Sequence, residues 1–150
     1  MHESAVIDTS ALIALEKLRL SPVLCELYSE IIIPRAVVDE FGTLELTCLS
    51  IRQVQSPLIN LFVGELGLGG GESEVITLGV DSGMRVVIDD SKARKIAESL
   101  GLKVVGTIGI LMKSEGMGLI SSAYEEATKL KEAGFYLSER LLDELSKWNK

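Results

Sequence analysis

The chain has 150 residues, 47% of them hydrophobic and 5% aromatic, with a formal net charge of −7 and a pI near 4.8. That length and apolar content specify one folded domain with a real core and exclude a disordered chain. The acidity excludes a surface that grips nucleic acid all over, and the scarcity of rings argues against a broad base-stacking platform; a local basic rim, or an acidic centre neutralised by metal ions, stays open.

The N-terminus MHESAVID lacks the basic and apolar regions of a signal peptide, and no apolar run approaches a membrane span, so a soluble, cytoplasmic protein is expected. The two cysteines, Cys25 and Cys48, sit in apolar contexts (PVLCEL and LTCLSI) and read as buried thiols. His2 is the only histidine and no CxxC occurs, so zinc sites and histidine-based catalysis lack their groups.

Taken in order, residues 4–8 form a short apolar strand, and Thr9 or Ser10 caps a helix through Leu18. Ser21-Pro22 starts a second helix that runs to about Ser29. Ile31 to Ile33 is a β-branched strand stopped by Pro34, followed by the short helix RAVVDEF and Gly42. Leu46 to Val54 reads as extended, and Ser56-Pro57 starts another helix. ELGLGGG, residues 65–71, reads as a loop, and Glu72 to Asp81 as a helix ended by Gly83. Arg85 to Ile88 is a buried strand, Ser91 to Leu100 a helix, Lys103 to Val105 a third β run and Thr107 to Lys113 a helix. Ser122 and Glu125 fit a capping box for a helix to about Ala133, and Ser138 opens the last helix. Strands alternating with helices specify an α/β fold with a mainly parallel sheet covered on both faces. No linker or repeat divides the chain, so 1–150 is one domain.

AVIDTS (residues 5–10) is nearly repeated as VVIDDS (residues 86–91). Twice a buried strand ends in Asp. Asp8, Asp89 and Asp90 therefore lie beyond the carboxyl ends of strands, where α/β sheets bind ligands. Each also suits a helix cap. If the two strands are neighbours, the carboxylates repel one another, and a divalent cation relieves that cost. Two more acids come at helical positions. Glu40 lies on RAVVDEF, beside Asp39, and reads otherwise as a surface charge. Glu72 opens a helix, where the dipole favours an acid, and Glu74 points elsewhere.

VIDTSALIAL, VVDEF, GGGESEVITLG and VIDDSKARKIAESLGLKVVGTIGIL, in that order, resemble PIN-domain proteins over nearly the whole chain. The resemblance is to the small prokaryotic PIN group that includes VapC-like toxins. It implies a three-layer α/β/α sandwich and a metal-dependent endoribonuclease, the toxin of a type II toxin–antitoxin pair. By motif, Asp8, Glu40, Glu72 and Asp89 match an acidic quartet holding Mg²⁺ or Mn²⁺, with Asp90 sharing the catalytic role. Many relatives carry Asp where Glu72 stands, so Glu74, or Asp89 with Asp90, remains an alternative. Thr9, Ser10 and Thr107 resemble the hydroxyl residues beside the site. A homodimer and an antitoxin partner are further implications, with the apolar helices Pro22–Ser29 and Pro57–Val63 as candidate interfaces.

This chemistry needs no histidine, serine or cysteine nucleophile. Basic residues near the site are expected for RNA phosphates. Lys92, Arg94, Lys95, Arg35 and Lys113 qualify by position, Lys92 and Arg35 being the named candidates. GLGGGE departs from GxGxxG because Glu72 takes the last glycine position, which excludes a dinucleotide fingerprint. DTS lacks the second Asp of a haloacid-dehalogenase-like nucleophile. A non-enzymatic alternative is an inactive PIN-like module that recognises a partner.

Overall fold

The computed structural model describes residues 3–42 and 44–148; His2 lies outside them. Five parallel strands form the sheet: β1 (Ser4–Ile7), β2 (Glu30–Pro34), β3 (Leu49–Arg52), β4 (Arg85–Val87) and β5 (Val104–Val105). The helices are α1 (Thr9–Lys17), α2 (Val23–Leu27), α3 (Arg35–Phe41), α4 (Pro57–Asn60), α5 (Gly70–Ser82), α6 (Ser91–Ser99), α7 (Thr107–Gly116), α8 (Ala123–Glu132) and α9 (Glu139–Lys147). A π-helical turn, Leu61–Glu65, prolongs α4.

The expected α/β class with helices flanking a parallel sheet is what the chain forms. The central strands are apolar on both faces, as a sheet covered on both sides requires. Ala5, Val6, Ile7, Ile31, Ile32, Val86 and Val87 are all fully enclosed. Helices close over them through Leu12, Leu15, Leu24, Val75, Ile76, Ile110 and Leu111. Gly79 lets α5 approach this closely: a Cβ there would meet Val86 Cγ1 at 2.7 Å.

The strand order is β3-β2-β1-β4-β5. From β1 the chain builds outward one way to β3, then returns to the other side of β1 for β4 and β5. The topological switch thus falls between β1 and β4, where a crevice opens at the strands' carboxyl ends. The register pairs Ile7 with Val87, and Asp8 N–H extends the ladder by donating to Val87 O at 3.1 Å. Asp8 and Asp89 therefore emerge at the same sheet edge from neighbouring strands.

Several local expectations are corrected. Cys25 and Cys48 are not free thiols: they form a disulfide across 23 residues, with Cα atoms 5.6 Å apart. It ties α2 to the residue that precedes β3, and the parallel β2–β3 pairing brings the two ends together. Ser21 does not cap α2. Its hydroxyl donates to Glu16 Oε2 at 2.8 Å, and α2 begins at Val23. The glycine run is only partly a loop, since Gly70 and Gly71 already belong to α5. The Ser56, Ser122 and Ser138 caps form as expected, each hydroxyl accepting an N–H of the following first turn. Among the described residues no helix is long and apolar enough to cross a membrane.

Candidate active site

Asp8, Glu40, Glu72, Asp89 and Asp90 line one open cleft of about 630 Å³ at the β1/β4 switch, together with Thr9, Ser10, Gly69, Gly71, Ile13 and Tyr136. Among these lining residues none is basic. The sheet supplies Asp8 and Asp89, α3 brings Glu40, α5 brings Glu72, and Asp90 precedes α6.

Each carboxylate is held by a donor that fixes its direction. Asp8 Oδ1 accepts Thr9 N–H at 2.8 Å, capping α1. Glu40 accepts Gly71 N–H on Oε1 and the Thr9 hydroxyl on Oε2, both at 3.0 Å. Glu72 Oε1 accepts Gly69 N–H at 3.2 Å. Asp89 takes Thr107 N–H at 2.7 Å and the Thr107 hydroxyl at 2.6 Å. Asp90 Oδ2 caps α6 through Ala93 N–H at 2.9 Å. The capping reading and the cleft reading thus hold together for Asp8 and Asp90, while Asp89 does not cap the helix that follows it. A carboxylate oxygen has two lone pairs, so one such bond leaves further acceptor capacity.

Gly71 is the residue that allows the cleft to close. A Cβ there would sit 2.6 Å from Glu40 Oε1 and 3.2 Å from Asp8 Oδ1. Gly106 plays the same part on the far side, where a Cβ would meet Arg94 Nη1 at 2.5 Å and Asp89 Oδ1 at 2.8 Å. Gly71 was expected only as part of a loop, and its reading there gave no sign of that role.

The electrostatics follow from enclosure. Asp8 is only 4% exposed. Burial first, then the charges of Glu72, Glu40 and Asp89, push its pKa up to about 7 against the pull of Thr9 N–H. Glu72 is also raised, by burial and then by Asp90 and Glu40, while Gly69 N–H and Lys92 pull the other way. The donor set is all hard oxygen and carries uncompensated negative charge, which is the chemistry that suits Mg²⁺ or Mn²⁺. Among the described residues no three histidine, cysteine or acidic side chains stand close enough to one point to hold an ion as placed. The donors fit the ion in type, and their convergence requires side-chain rotation.

The remaining sequence candidates divide. Glu74 Oε1 accepts Ala36 N–H at 3.0 Å at the start of α3, and Glu74 does not line the cleft. Lys92 is exposed, and its Nζ lies 3.2 Å from where a Gly67 Cβ would be. Arg35 is exposed at the start of α3 and outside the cleft lining. Lys113 is not near the cleft. It donates to the Tyr28 hydroxyl at 3.2 Å, its Nζ 5.2 Å from that ring's centroid, and shares its field with Glu3 and Arg85 at the strands' starting ends. Its position at the expected end of the Thr107 helix gave the wrong end of the sheet, because α7 leads away from the carboxyl edge and carries Lys113 to Tyr28.

A comparison with solved structures finds a PilT N-terminus domain protein from the hyperthermophilic archaeon Sulfolobus solfataricus P2. The TM-score is 0.50 at 20% identity, over 74% of this chain and 92% of that one, a likeness of fold. No curated protein matches significantly in sequence. The family described as "DUF3368: PIN domain" matches residues 4–150. PIN domains are generally nucleases. With nearly its whole length matched and its acids gathered at the switch of a parallel sheet, the chain belongs to the PIN-domain family.

Proposed function

We propose that the chain is an endoribonuclease that hydrolyses RNA phosphodiesters with Mg²⁺ or Mn²⁺, and that it serves as a VapC-like toxin of a type II toxin–antitoxin pair. One observation carries the nuclease reading: five carboxylates from four segments face one cleft with no basic side chain among its lining residues. A fold pays this electrostatic cost where the charge is used. Asp8, Glu40, Glu72 and Asp89 would hold the ion, with Asp90 beside them. When bound, the ion lowers the pKa of a coordinated water and offsets phosphate charge. The chain's own part is positional. The Thr9 hydroxyl and the Gly71 N–H hold Glu40 toward Asp8, Thr107 holds Asp89, and a carboxylate left free of the ion would take the proton from the attacking water.

The toxin role, a homodimer and an antitoxin partner are carried by the likeness of motifs set out above. The exposed apolar side chains Leu61, Val63 and Leu66 along the π-helical turn offer a surface for such contacts.

The test is cleavage of single-stranded RNA with Mn²⁺, with chelator, and with Asp8→Asn. Metal-dependent cutting that falls at least 100-fold in the mutant supports the reading. The alternative, an inactive partner-binding module, is favoured by the absence of any ready-made three-ligand cluster among the described residues. It predicts no cleavage and no thermal shift with Mn²⁺, and that pair of results would sink the nuclease.

A further inference from the structure

The acidic cleft does not end at Asp89. A second groove of about 670 Å³ continues from it, and Ser10, Asp89 and Tyr136 line both. Its character changes across that boundary. Beyond Asp89 its walls are largely apolar, from Val105, Ile108, Leu137 and Leu141, with Arg94 as the one basic side chain. An acid-lined cleft suited to a phosphate-bridging cation, opening into an apolar slot, matches the two halves of a nucleotide, a metal-bound phosphate and a flat base.

Two side chains of this groove keep binding capacity that their structural contacts leave unused. Tyr136 is 90% exposed, the most exposed large hydrophobic side chain among the described residues. It is nevertheless flanked by anchored residues. Its neighbours Phe135 and Leu137 pack against the core, and Phe135 N–H donates to Leu130 O at 3.0 Å. The alternation in, out, in presents the ring at the mouth of the groove without burying it. Arg94 is half-buried, and its one hydrogen bond to protein runs from Nη1 to Ile88 O at 3.1 Å. No carboxylate pairs with it among the described residues. A guanidinium has five N–H donors, so most of its fork is unused beside the cleft.

We propose that this groove is a nucleotide subsite: it takes one unstacked base of single-stranded RNA next to the scissile phosphate, stacked on Tyr136, while Arg94 contacts the adjoining phosphate. The proposal rests on the nuclease reading. The continuity of the two cavities sets the occupant, since whatever lies against Asp89 in one extends into the other. A ring face accepts any base, so the subsite demands an unpaired nucleotide rather than a particular sequence. The low aromatic content argued against a broad stacking surface; a single base needs a single ring.

The test uses the full chain and short single-stranded oligoribonucleotides, read by cleavage kinetics and by fluorescence anisotropy. Loss of one base stack weakens binding roughly 5- to 150-fold. Tyr136→Ala is therefore expected to raise KM and Kd within that range, with kcat changed less than about threefold and Tm unmoved, because the ring buries almost nothing. Tyr136→Phe keeps the ring and restores most of the loss. Tyr124→Ala, another exposed tyrosine outside both cavities, serves as the control. An abasic site beside the scissile bond costs the wild type the same factor and costs Tyr136→Ala nothing further. Unchanged KM and Kd in Tyr136→Ala, with the wild type active, overturns the subsite and leaves the nuclease standing. A wild type that binds RNA through Tyr136 without cutting it overturns the nuclease and leaves the subsite. A wild type that neither binds nor cuts overturns both. Dimerisation lost in Tyr136→Ala at unchanged KM gives the groove to a second copy and overturns the proposal.

Discussion

Asp8 shows how a residue serves the site at the expense of the fold. Its folded pKa of about 7 lies well above the 3.8 of a free Asp. Between those values the folded chain binds a proton that the unfolded chain has released. The contribution is favourable below pH ~4, fades as pH rises, and is lost above ~7. The swing is roughly 2–4 kcal/mol for three pH units in a crowded site. The expected outcome is a metal-free Tm that falls from pH 5 to pH 8 by more in the wild type than in Asp8→Asn. Asp8→Asn should be the more stable protein at pH 8, by roughly 5–10 °C. Scanning fluorimetry with a chelator checks this; parallel pH profiles for the two proteins would refute it. Among the acids, Asp8 and Asp89 were legible because each ends an apolar strand, and Glu40 and Glu72 were legible only through the likeness of motifs. Tyr136 was not, because nothing local says that the segment after α8 returns to the cleft. Arg94 stood in sequence as one of several cations on a helix, and only its approach to Gly106 sets it apart.

At the scale of elements, the strands were readable because enclosure on both faces demands unbroken apolar runs such as Ile31 to Ile33. What failed depended on contacts that periodicity and capping patterns do not encode. Ser21 satisfies Glu16 instead of capping α2, and the π-helical turn over Leu61–Glu65 carries no signal of its own. The disulfide was missed because Cys25 and Cys48 meet only once β3 pairs with β2. That bridge encloses β2 and α3, the helix that carries Glu40. Closing a loop of this length is worth about 3 kcal/mol by the chain-entropy account. Reduction, or Cys25→Ala with Cys48→Ala, is expected to lower Tm by roughly 6–12 °C. Melts with and without reductant measure it, and a shift under about 2 °C would mean the bridge adds little.

The whole molecule is acidic, and five of its carboxylates gather beyond the carboxyl ends of the strands, while Arg85, Lys103 and Lys113 lie near Glu3 at the other end. On the proposed nuclease reading, RNA would approach a repelling face with Arg94 and Lys92 as the nearby cations. Binding to single strands releases counterions in proportion to the phosphates neutralised, about 0.7 per contact. With one or two contacts, log Kd should vary with log salt at a slope of only about 1. Anisotropy titrations from 50 to 300 mM salt test this, and a slope above about 4 would reveal a basic surface not described above.

The strand order has a last consequence. The sheet divides at β1/β4 into two contiguous stretches of chain, the first carrying Asp8 and Glu40, the second Glu72, Asp89 and Asp90. The cleft is the seam between them. Neither stretch owns more than part of the acid set, so the complete set exists only where the two are docked. A chain severed at Gly67–Gly69, between the halves, would carry its function as a split reporter does, in the reunion of two silent pieces.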